Sequence, residues 1–324
     1  MLSPLIGEPI RVCLCVLALL SCAFQERHDG AAARLVLTES WGISLPDSLK
    51  IVGARPDGAG NVLLWTDVPL RILLVSPAGM EQVPHTIPSN GRELLPVVGA
   101  SSLRFLDPVS GRVLSARDTA ESMSLDVLTE SMSIQATAAA GPHLLVVGTR
   151  GDRWSIMVFD WETRGRVALH EVRDDVPEPS NSAQFLPTVG GLLLWFMRSP
   201  FTVFRVTADG NTEVFARVLE GLAGLDEGYR GDLAHWVALA FVPLDRGFLI
   251  QLADLTSDDR LLVVIDDDGN VVRSRTVQAA FGVLTSDAAN RVLFTVRSLN
   301  RREIVAYRWH WEEAVDWHQT RLPS

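Results

Sequence analysis

The feature that most restricts the fold of this chain is a recurring unit made of an apolar strand, a short turn ending in glycine, and a second strand. Five such turns end at Gly79, Gly111, Gly165, Gly210 and Gly269. Glycine, aspartate, asparagine and proline supply the backbone angles that hairpin turns require. These glycines lie about 47 residues apart on average, which is the period expected of propeller blades.

A further pair of strands precedes most of the hairpins, so each repeat contains four strands. The pairs are 49–54 with 61–66, 135–139 with 144–149, 237–242 with 247–252, and 281–285 with 291–297. Many strands are continuous apolar runs, and a sheet of such strands must be covered on both faces. No amphipathic segment of ten or more residues lies between the strands to supply helical cover. The sequence therefore predicts an all-β fold, a six-bladed β-propeller of four-stranded antiparallel blades that cover one another around an axis.

One repeat carries a recognisable motif. The segment 57–67 has the sequence DGAGNVLLWTD and is followed by Arg71-Ile72 and Gly79. It resembles the NHL-type propeller repeat, which has a D-x-x-G-N turn, an apolar strand ending in aspartate, an R-I strand and a glycine hairpin. Residues 287–293 match the first half only, and the other repeats keep the hydrophobic pattern alone. The resemblance implies six-bladed topology across about residues 34–316 and implies no activity.

Two features of the ring stay open at this stage. The second blade, near 83–117, is short, and the pattern does not define its inner strand. The ring is expected to close by N-terminal strand exchange, with residues 34–39 completing the last blade beside 303–311, because closure removes an exposed edge. The alternative is that residues 317–322 supply this strand.

The amino terminus contains a short apolar segment. Nine apolar residues, 12–20, follow Arg11, and this is too short for the roughly 20 residues of a membrane-spanning helix but suits a signal peptide. The next residues, Leu19-Leu20-Ser21-Cys22, resemble the bacterial lipobox. That resemblance implies diacylglycerol on the Cys22 sulfur and cleavage before it. The predicted organisation is a lipoprotein signal peptide over 1–21, a tether over 22–33 and a single propeller domain over 34–324.

The lipobox implies a protein anchored by lipid in the bacterial cell envelope, at the outer membrane or the cell surface. The alternatives are a secreted or periplasmic protein with an ordinary signal, in which Cys22 is incidental, and a misassigned start. All three cysteines, Cys13, Cys15 and Cys22, lie in this segment. The body of the protein is thus predicted to have no cysteine nucleophile, disulfide or zinc–thiolate site.

Charge and motifs restrict the function classes. The formal net charge is −10, so there is no basic excess to release phosphate counterions, and nucleic acid is not an expected partner. The sequence has no G-x-S-x-G, phosphate loop, dinucleotide fingerprint or histidine metal spacing. We therefore expect a non-enzymatic binding or interaction scaffold with no cofactor and no metal. The alternative is a divalent-metal-dependent hydrolase of the six-bladed lactonase or paraoxonase type, which would use calcium.

The candidate binding face is the one that carries the links between blades. The long links are 117–133, 173–180 and 220–235, and long loops at one end of a rigid scaffold commonly form binding sites. An arginine-rich surface there would bind an envelope protein or a glycan through bidentate hydrogen bonds. Alternatively, these arginines are ordinary solvated turn residues, since Lys50 is the sole lysine. The candidate residues are Arg150, Arg153, Arg198, Tyr229, Arg230, His235, Arg260 and Arg301.

Two other clusters have competing interpretations. The run Asp266-Asp267-Asp268 is either a calcium site or a solvated turn, and its spacing favours the turn. Tyr307, Trp309 and Trp311 alternate along one strand and so share a face. They either fill the space between blades or stack against a sugar, and packing is the favoured interpretation.

Overall fold

The computed structural model describes residues 34–46, 48–66, 69–85, 87, 94–116, 123–124, 132–172, 176, 182–188, 190–198, 200–225, 235–257, 259–277, 281–298 and 302–312. These residues belong to one compact body, Arg34–Glu312. It is almost entirely β-structure, arranged as antiparallel meanders of four strands that we number as units I to VI. Within the described part, one helix is present, α1 (Val218–Leu225).

In the first three units each strand pairs with the next along the chain. Unit I contains β2 (Ile51–Pro56), β3 (Val62–Thr66), β4 (Ile72–Ser76) and β5 (Gly79–Val83). Unit II contains β6 (Leu95–Val98), β7 (Arg104–Asp107), β8 (Arg112–Ser115) and β9 (Met123–Ser124). Unit III contains β10 (Met132–Ala140), β11 (His143–Arg150), β12 (Arg153–Asp160) and β13 (Arg166–Glu171).

The last three units follow the same plan, except that the fourth strand of unit VI comes from the beginning of the chain. Unit IV contains β14 (Ala183–Thr188), β15 (Gly191–Phe196), β16 (Thr202–Val206) and β17 (Thr212–Arg217). Unit V contains β18 (Trp236–Pro243), β19 (Phe248–Asp254), β20 (Arg260–Ile265) and β21 (Val271–Val277). Unit VI contains β22 (Phe281–Asp287), β23 (Val292–Ser298), β24 (Arg302–Glu312) and β1 (Arg34–Ser44).

Units II and III share hydrogen bonds across their inner strands. β6 and β10 pair in parallel through Val97 with Thr137 and Val98 with Ala138. The Thr137 hydroxyl also donates to the Pro96 carbonyl, 2.9 Å away. The described strands therefore form four four-stranded sheets and one eight-stranded sheet, which contains two of the meanders. The all-β propeller arrangement predicted from the sequence is confirmed.

Unit II differs in detail from the repeat pattern. The hairpin that ends at Gly111 joins the second strand, β7, to the third, β8. The other glycine hairpins join the third strand to the fourth. Its inner strand, which the sequence left undefined, is the four-residue β6, and its short length explains the weak signal.

The N-terminal strand completes unit VI as predicted. β1 pairs antiparallel with β24 from Arg34 opposite Glu312 to Ser44 opposite Glu303. An ion pair of 2.9 Å between Glu39 and Arg297 adds a side-chain link between β1 and β23. The alternative closing segment, 317–322, lies outside the described residues.

Continuous apolar strands are buried on both faces because successive units pack against each other. All five residues from Leu192 to Phe196 in β15 are buried. Among the described residues, hydrophobic clusters join units I and II, II and III, III and IV, IV and V, V and VI, and VI and I. Trp65 meets Phe105 edge-on between units I and II, and Trp154 meets Phe196 between units III and IV. This mutual cover takes the place of helices packed on the faces of the sheets.

The turn of the NHL-like repeat is fixed by its own side chains. The Asp57 carboxylate accepts hydrogen bonds from the backbone N–H groups of Ala59 (2.8 Å) and Asn61 (3.0 Å), and the Asn61 amide donates to its second oxygen (2.7 Å). Gly60 adopts φ of 85°, a value that favours glycine. Asp266 and Asn270 build an equivalent turn between β20 and β21.

A buried glutamine joins units V and VI. Gln251 in β19 is completely buried, its amide nitrogen donates to the Phe281 carbonyl (2.7 Å), and its amide oxygen accepts from the Val283 N–H (2.8 Å). Both partners are backbone groups of the inner strand β22. The amide thus satisfies two buried groups that β22 leaves free at this position.

Replacement of this amide by an apolar side chain of similar size tests its role. Gln251→Leu should lower the free energy of unfolding by about 2–4 kcal/mol, because a buried N–H and a buried carbonyl lose their partners. Gln184→Leu, at an exposed position in β14, is the control and should change stability little. Denaturant unfolding of both variants provides the measurement, and equal stability of the two would contradict this role.

Candidate functional site

The meanders give the body two different faces. We call the face with the turns 57–61, 141–142 and 266–270 the hairpin face, since these turns join first to second or third to fourth strands. The opposite face carries the turns between second and third strands, such as 151–152 and 255–259, and the links from one unit to the next. We call it the link face. Every candidate binding residue that the structure describes belongs to the link face.

The structure describes five of the eight candidates. Arg150 and Arg153 flank the 151–152 turn of unit III, Arg198 follows β15, His235 precedes β18, and Arg260 begins β20. All are exposed except Arg260, which is half-buried. Tyr229, Arg230 and Arg301 lie outside the described residues, as do most residues of the three long links.

The guanidinium groups on this face fall into two classes. That of Arg153 is engaged by Glu171 at 2.8 Å and approaches Asp152 at 3.9 Å. In the described part of the chain, the side chains of Arg150, Arg198 and Arg260 have no hydrogen-bond or ion-pair partner. These three can therefore donate hydrogen bonds to a ligand without breaking an internal ion pair.

Backbone pairing places Arg198 beside the inner strand of the next unit. Arg198 forms an isolated antiparallel bridge with Val237 in β18, and the Ala238 N–H donates to the Met197 carbonyl at 2.6 Å. The turn after β15 is thereby attached to β18. Arg198 thus lies next to the start of an inner strand on the link face.

One further exposed arginine of the same type is not among the candidates predicted from the sequence. Arg71 immediately precedes β4, the third strand of unit I, and is exposed without a side-chain partner among the described residues. Arg153, Arg260 and Arg302 occupy the corresponding position in units III, V and VI. Alignment of the third strands would have identified Arg71. Arg302 is engaged differently, since its guanidinium donates to the Leu49 carbonyl.

The inner strands provide a second feature that the sequence did not reveal. β2, β10, β18 and β22 each contain a register shift in their pairing with the second strand. The residues at these shifts are Val52, Gln135, Leu239 and Leu284. Bulges occur preferentially at sheet edges, where they re-aim side chains. Val52 and Leu239 are exposed at their shifts, whereas Leu284 packs against the hydrophobic cluster between units VI and I.

The side chains at and near the shifts differ in polarity and in exposure. Val52 is 47% exposed, Leu239 is 37% exposed and Leu284 is half-buried. On the inner strands of units III and IV, the amide side chains Gln135 and Gln184 are half-buried and exposed, respectively. These five residues lie in the part of each strand nearer the link face or at its centre.

Near the hairpin face, the end of the inner strand β6 lies close to the inner strands of units III and IV. Gly99 follows β6 with φ of 75°, and a Cβ atom at this position would lie 2.9 Å from the Ala139 carbonyl oxygen and 3.6 Å from the Pro187 side chain. Backbone of unit II therefore approaches both unit III and unit IV at this level. Only glycine permits this approach, because a Cβ atom would crowd the Ala139 carbonyl oxygen.

The chemistry of the inner strands bears on the metal-dependent alternative. Asp287, at the hairpin-face end of β22, is the only carboxylate in the six inner strands. Its oxygens accept hydrogen bonds from the Asn290 backbone (3.0 Å) and side-chain amide (2.8 Å). Within the described residues, no group of three or more histidine, cysteine, aspartate or glutamate side chains could hold a metal ion.

The aspartate run forms a structured turn. The Asp266 carboxylate accepts hydrogen bonds from Asp268 and Asn270, and the Asp267 carboxylate accepts one from the Gly247 N–H at 2.9 Å. Asp267 therefore attaches one hairpin-face turn of unit V to another. This arrangement supports the turn interpretation of the run.

The aromatic stripe of β24 packs between units V and VI. Trp309 is buried, while Tyr307 and Trp311 pack against the same cluster. Both indole N–H groups donate to one oxygen of Asp245, at 2.8 and 2.9 Å, and Arg291 pairs with the other at 2.9 Å. The stripe therefore serves as packing, since the face of Trp309 is not available to a sugar.

The same contacts set the pKa of Asp245. Burial alone would raise the pKa, but the hydrogen bonds from Trp309 and Trp311 and the charge of Arg291 outweigh it, so the pKa is lowered. A lowered pKa in the folded state stabilises the protein above the pKa of the unfolded carboxyl group, about 3.9. This stabilisation is lost as the pH falls through the folded-state pKa.

The lowered pKa of Asp245 predicts how the stability of a variant at this position depends on pH. Asp245→Asn should lower the unfolding midpoint at pH 7, because the ion pair with Arg291 and one indole acceptor are weakened. The difference from the parent protein should shrink as the pH falls below about 4, because Asp245 takes up a proton first in the unfolded parent, and it should shrink further as the pH falls through the lowered pKa of the folded state. Thermal or denaturant unfolding across this pH range is the measurement, and a difference independent of pH would refute the assignment.

No helix in the described part of the chain has the length and hydrophobicity to cross a membrane. No protein-family model matches the sequence, and no curated protein matches it either. Similarity to known proteins therefore rests on solved structures.

Three solved structures share the fold across most of the chain. A protein of Bacteroides fragilis NCTC 9343 described as exported is 10% identical, with a TM-score of 0.52, covering 85% of this chain and 95% of its own. The Cps50 (Swd1) β-propeller domain of Myceliophteria thermophila is 11% identical, with a TM-score of 0.52 and coverage of 84% and 99%. The PQQ-bound aldose sugar dehydrogenase of Streptomyces coelicolor is 11% identical, with a TM-score of 0.50 and coverage of 87% and 100%.

These likenesses show the β-propeller fold alone. The three proteins differ in function, and identities near one tenth carry no residue roles across. A fold of this kind supports many unrelated activities. Function has to be argued from the side chains of this chain.

Proposed function

We propose that this protein is a six-bladed propeller that acts as a non-enzymatic binding scaffold, anchored by lipid at Cys22 in the bacterial cell envelope, with the link face as its binding surface. The count of six treats each unit as one blade. It is supported by the six interfaces between consecutive units, the last of which joins unit VI back to unit I.

The observation that carries the binding role is a set of guanidinium groups on the link face that have no hydrogen-bond or ion-pair partner in the described part of the chain. Arg150, Arg198 and Arg260 are held on three consecutive units, III, IV and V, by strand ends and turns. A guanidinium group donates up to five hydrogen bonds in a fixed planar geometry that matches carboxylate groups. A rigid array of such donors suits an envelope protein partner. A glycan is the other partner considered, and nucleic acid is not expected.

The direction of β1 supports the choice of the link face. This strand begins at Arg34 on the hairpin face and ends at Ser44 on the link face, since it is antiparallel to β24. The eleven residues of β1 span about 36 Å. A connection of twelve residues from Cys22 reaches at most about 43 Å. An anchor at Cys22 therefore favours an orientation with the hairpin face toward the membrane and the link face toward partners.

The hydrolase alternative has less support from the residues. A calcium site of that type requires several oxygen ligands near the axis. The six inner strands supply one carboxylate, Asp287, and Asn290 already hydrogen-bonds to it. No observation on the described residues favours a catalytic role over binding.

The anchor is testable with a matched pair of cysteine variants. Cys22→Ala should abolish incorporation of labelled fatty acid and release the protein from the membrane fraction, because the acylated sulfur is removed. Cys15→Ala should incorporate label normally, since that residue leaves with the signal peptide. Normal labelling of Cys22→Ala would overturn the lipid-anchor proposal.

The binding face is testable by charge reversal. The combined variant Arg150→Glu, Arg198→Glu and Arg260→Glu should reduce recovery of envelope partners in a pull-down by tenfold or more. The physical reason is that each hydrogen bond to a charged group contributes about 1.5–3 kcal/mol.

The matched control makes the same charge change away from the link face. Arg164, Arg246 and Arg308 are exposed, and they lie on the hairpin face or near it. Their combined replacement by glutamate should leave the recovered partners unchanged. Equal loss in both variants would indicate a general effect of net charge and would contradict a link-face site.

A further inference from the structure

Backbone pairing places two arginines of the link face on one side of a single sheet. Arg198 pairs with Val237 at the free edge of β18, Val237 pairs with Ala253 in β19, and Ala253 pairs with Arg260 in β20. Directly opposed residues of neighbouring strands point to the same face of a sheet. Arg198 and Arg260 therefore lie at the two ends of one row of side chains. We call these four residues the arginine row.

The backbone fixes the separation across the arginine row. Neighbouring strands lie about 4.8 Å apart, so three intervals separate the Cα atoms of Arg198 and Arg260 by about 14 Å. A backbone hydrogen bond of 2.6 Å joins the residues next to Arg198 and Val237, which holds the first interval. The two residues between the arginines, Val237 and Ala253, are buried and uncharged. The row therefore offers two positive charges at a defined backbone separation with no charge between them.

Neither guanidinium group of the row has a hydrogen-bond or ion-pair partner in the described part of the chain. Arg198 is exposed, and the arginine at the other end is half-buried. The carboxylates of the adjoining turn have other partners. The Thr256 and Ser257 hydroxyl groups lie 2.8 and 3.1 Å from the Asp254 carboxylate, and the Ser257 hydroxyl lies 3.1 Å from that of Asp259. Both guanidinium groups are thus available to an anionic ligand.

Arg150, the third arginine of the proposed binding surface, faces a different unit. In β11, Leu145 and Val147 pack against unit IV, whereas Leu144 and Val146 pack against unit II. Because side chains alternate along a strand, Arg150 shares the side of Leu144 and Val146. It is directed away from units IV and V, so the arginine row forms a two-point site without it.

The chemistry and the spacing of the row match two carboxylates on an extended chain. A guanidinium group can form two parallel hydrogen bonds with a carboxylate, and such charge-assisted bonds are roughly twice as strong as neutral ones. An extended polypeptide advances about 3.4 Å per residue, so side chains at positions i and i+4 share a face and lie about 14 Å apart. This distance equals the separation across the arginine row. A segment with carboxylates at these positions can therefore contact both arginines at once.

From this geometry we infer that Arg198 and Arg260 bind an extended acidic segment of a partner polypeptide, each through one carboxylate. The inference rests on the proposed binding function and names the chemistry of its partner. The formal net charge of −10 repels an acidic segment at long range, but exposed charges are largely screened beyond about 8 Å at physiological ionic strength. The short-range hydrogen bonds of the row therefore decide whether the segment binds.

A displayed library of random nine-residue peptides, selected on the immobilised full chain, provides the probe. Selection should enrich peptides that carry aspartate or glutamate at two positions, four residues apart. Fluorescence polarisation of synthetic peptides from the enriched set then measures their affinity, which should fall as the salt concentration rises. Failure to enrich acidic peptides with this spacing would overturn the inference.

Single variants locate the binding within the molecule. Arg198→Gln and Arg260→Gln should each weaken binding of an enriched peptide by tenfold or more, because each removes the charged donors for one carboxylate. The control is Arg150→Gln, which removes an exposed guanidinium group of the link face outside the row and should leave the affinity unchanged. Equal losses in all three variants, or no loss in Arg198→Gln, would overturn the inference. Arg198 is exposed, so its variant keeps the test valid if Arg260→Gln fails to fold.

The outcomes separate this inference from the proposed function. If the triple glutamate variant loses its envelope partners while Arg198→Gln and Arg260→Gln keep full affinity for the peptides, the link face binds but the arginine row is not its site. If peptide binding depends on both arginines of the row while the triple variant still recovers its envelope partners, the row binds acidic segments and the surface proposed for those partners is wrong.

Discussion

Every blade of this protein depends on a neighbour, because its middle strands are apolar on both faces. The pairing of β1 with β24 completes unit VI, the last unit of the ring. Without β1, the outer edge of β24 would present unpaired backbone groups. Eleven residues from the beginning of the chain occupy this edge, and the ion pair of Glu39 with Arg297 adds to the backbone ladder. The order of the whole ring therefore depends on a contact between residues nearly 270 positions apart.

The sequence predicted the features that follow from local chemistry. Continuous apolar runs such as Leu192 to Phe196 implied sheets covered on both faces, and the Asp57 and Asn61 motif implied a tight turn. Closure by β1 followed from the need to remove an edge. The interpretation of Trp309 as packing also agrees with its burial against unit V.

Other features depend on contacts between distant segments and left no clear sequence signal. The four-residue β6 is too short to stand out, and its parallel pairing with β10 depends on how two units approach the axis. The bulges at Val52, Leu239 and Leu284 arise where an inner strand bends, so hydrophobic alternation does not mark them. Gly99 looks like an ordinary turn glycine until the positions of Ala139 and Pro187 are known.

The charged side chains of the two faces have different roles. Asp57, Asp245 and Asp266 use their carboxylates to fix turns or to hold indole groups, mostly at the hairpin face. On the link face, Arg150, Arg198 and Arg260 are not used in this way. These three aspartates thus serve the fold, whereas the three arginines have no such partner among the described residues.

The dependence of the ring on β1 is tested most directly by native-state hydrogen exchange of the full chain, resolved by mass spectrometry. The account predicts that backbone amides of β1 exchange as slowly as those of β24 and β23, since they open only when the ring opens. Exchange in β1 that is faster by several orders of magnitude, with β23 still protected, would contradict the account. It would mean that the ring persists without its N-terminal strand.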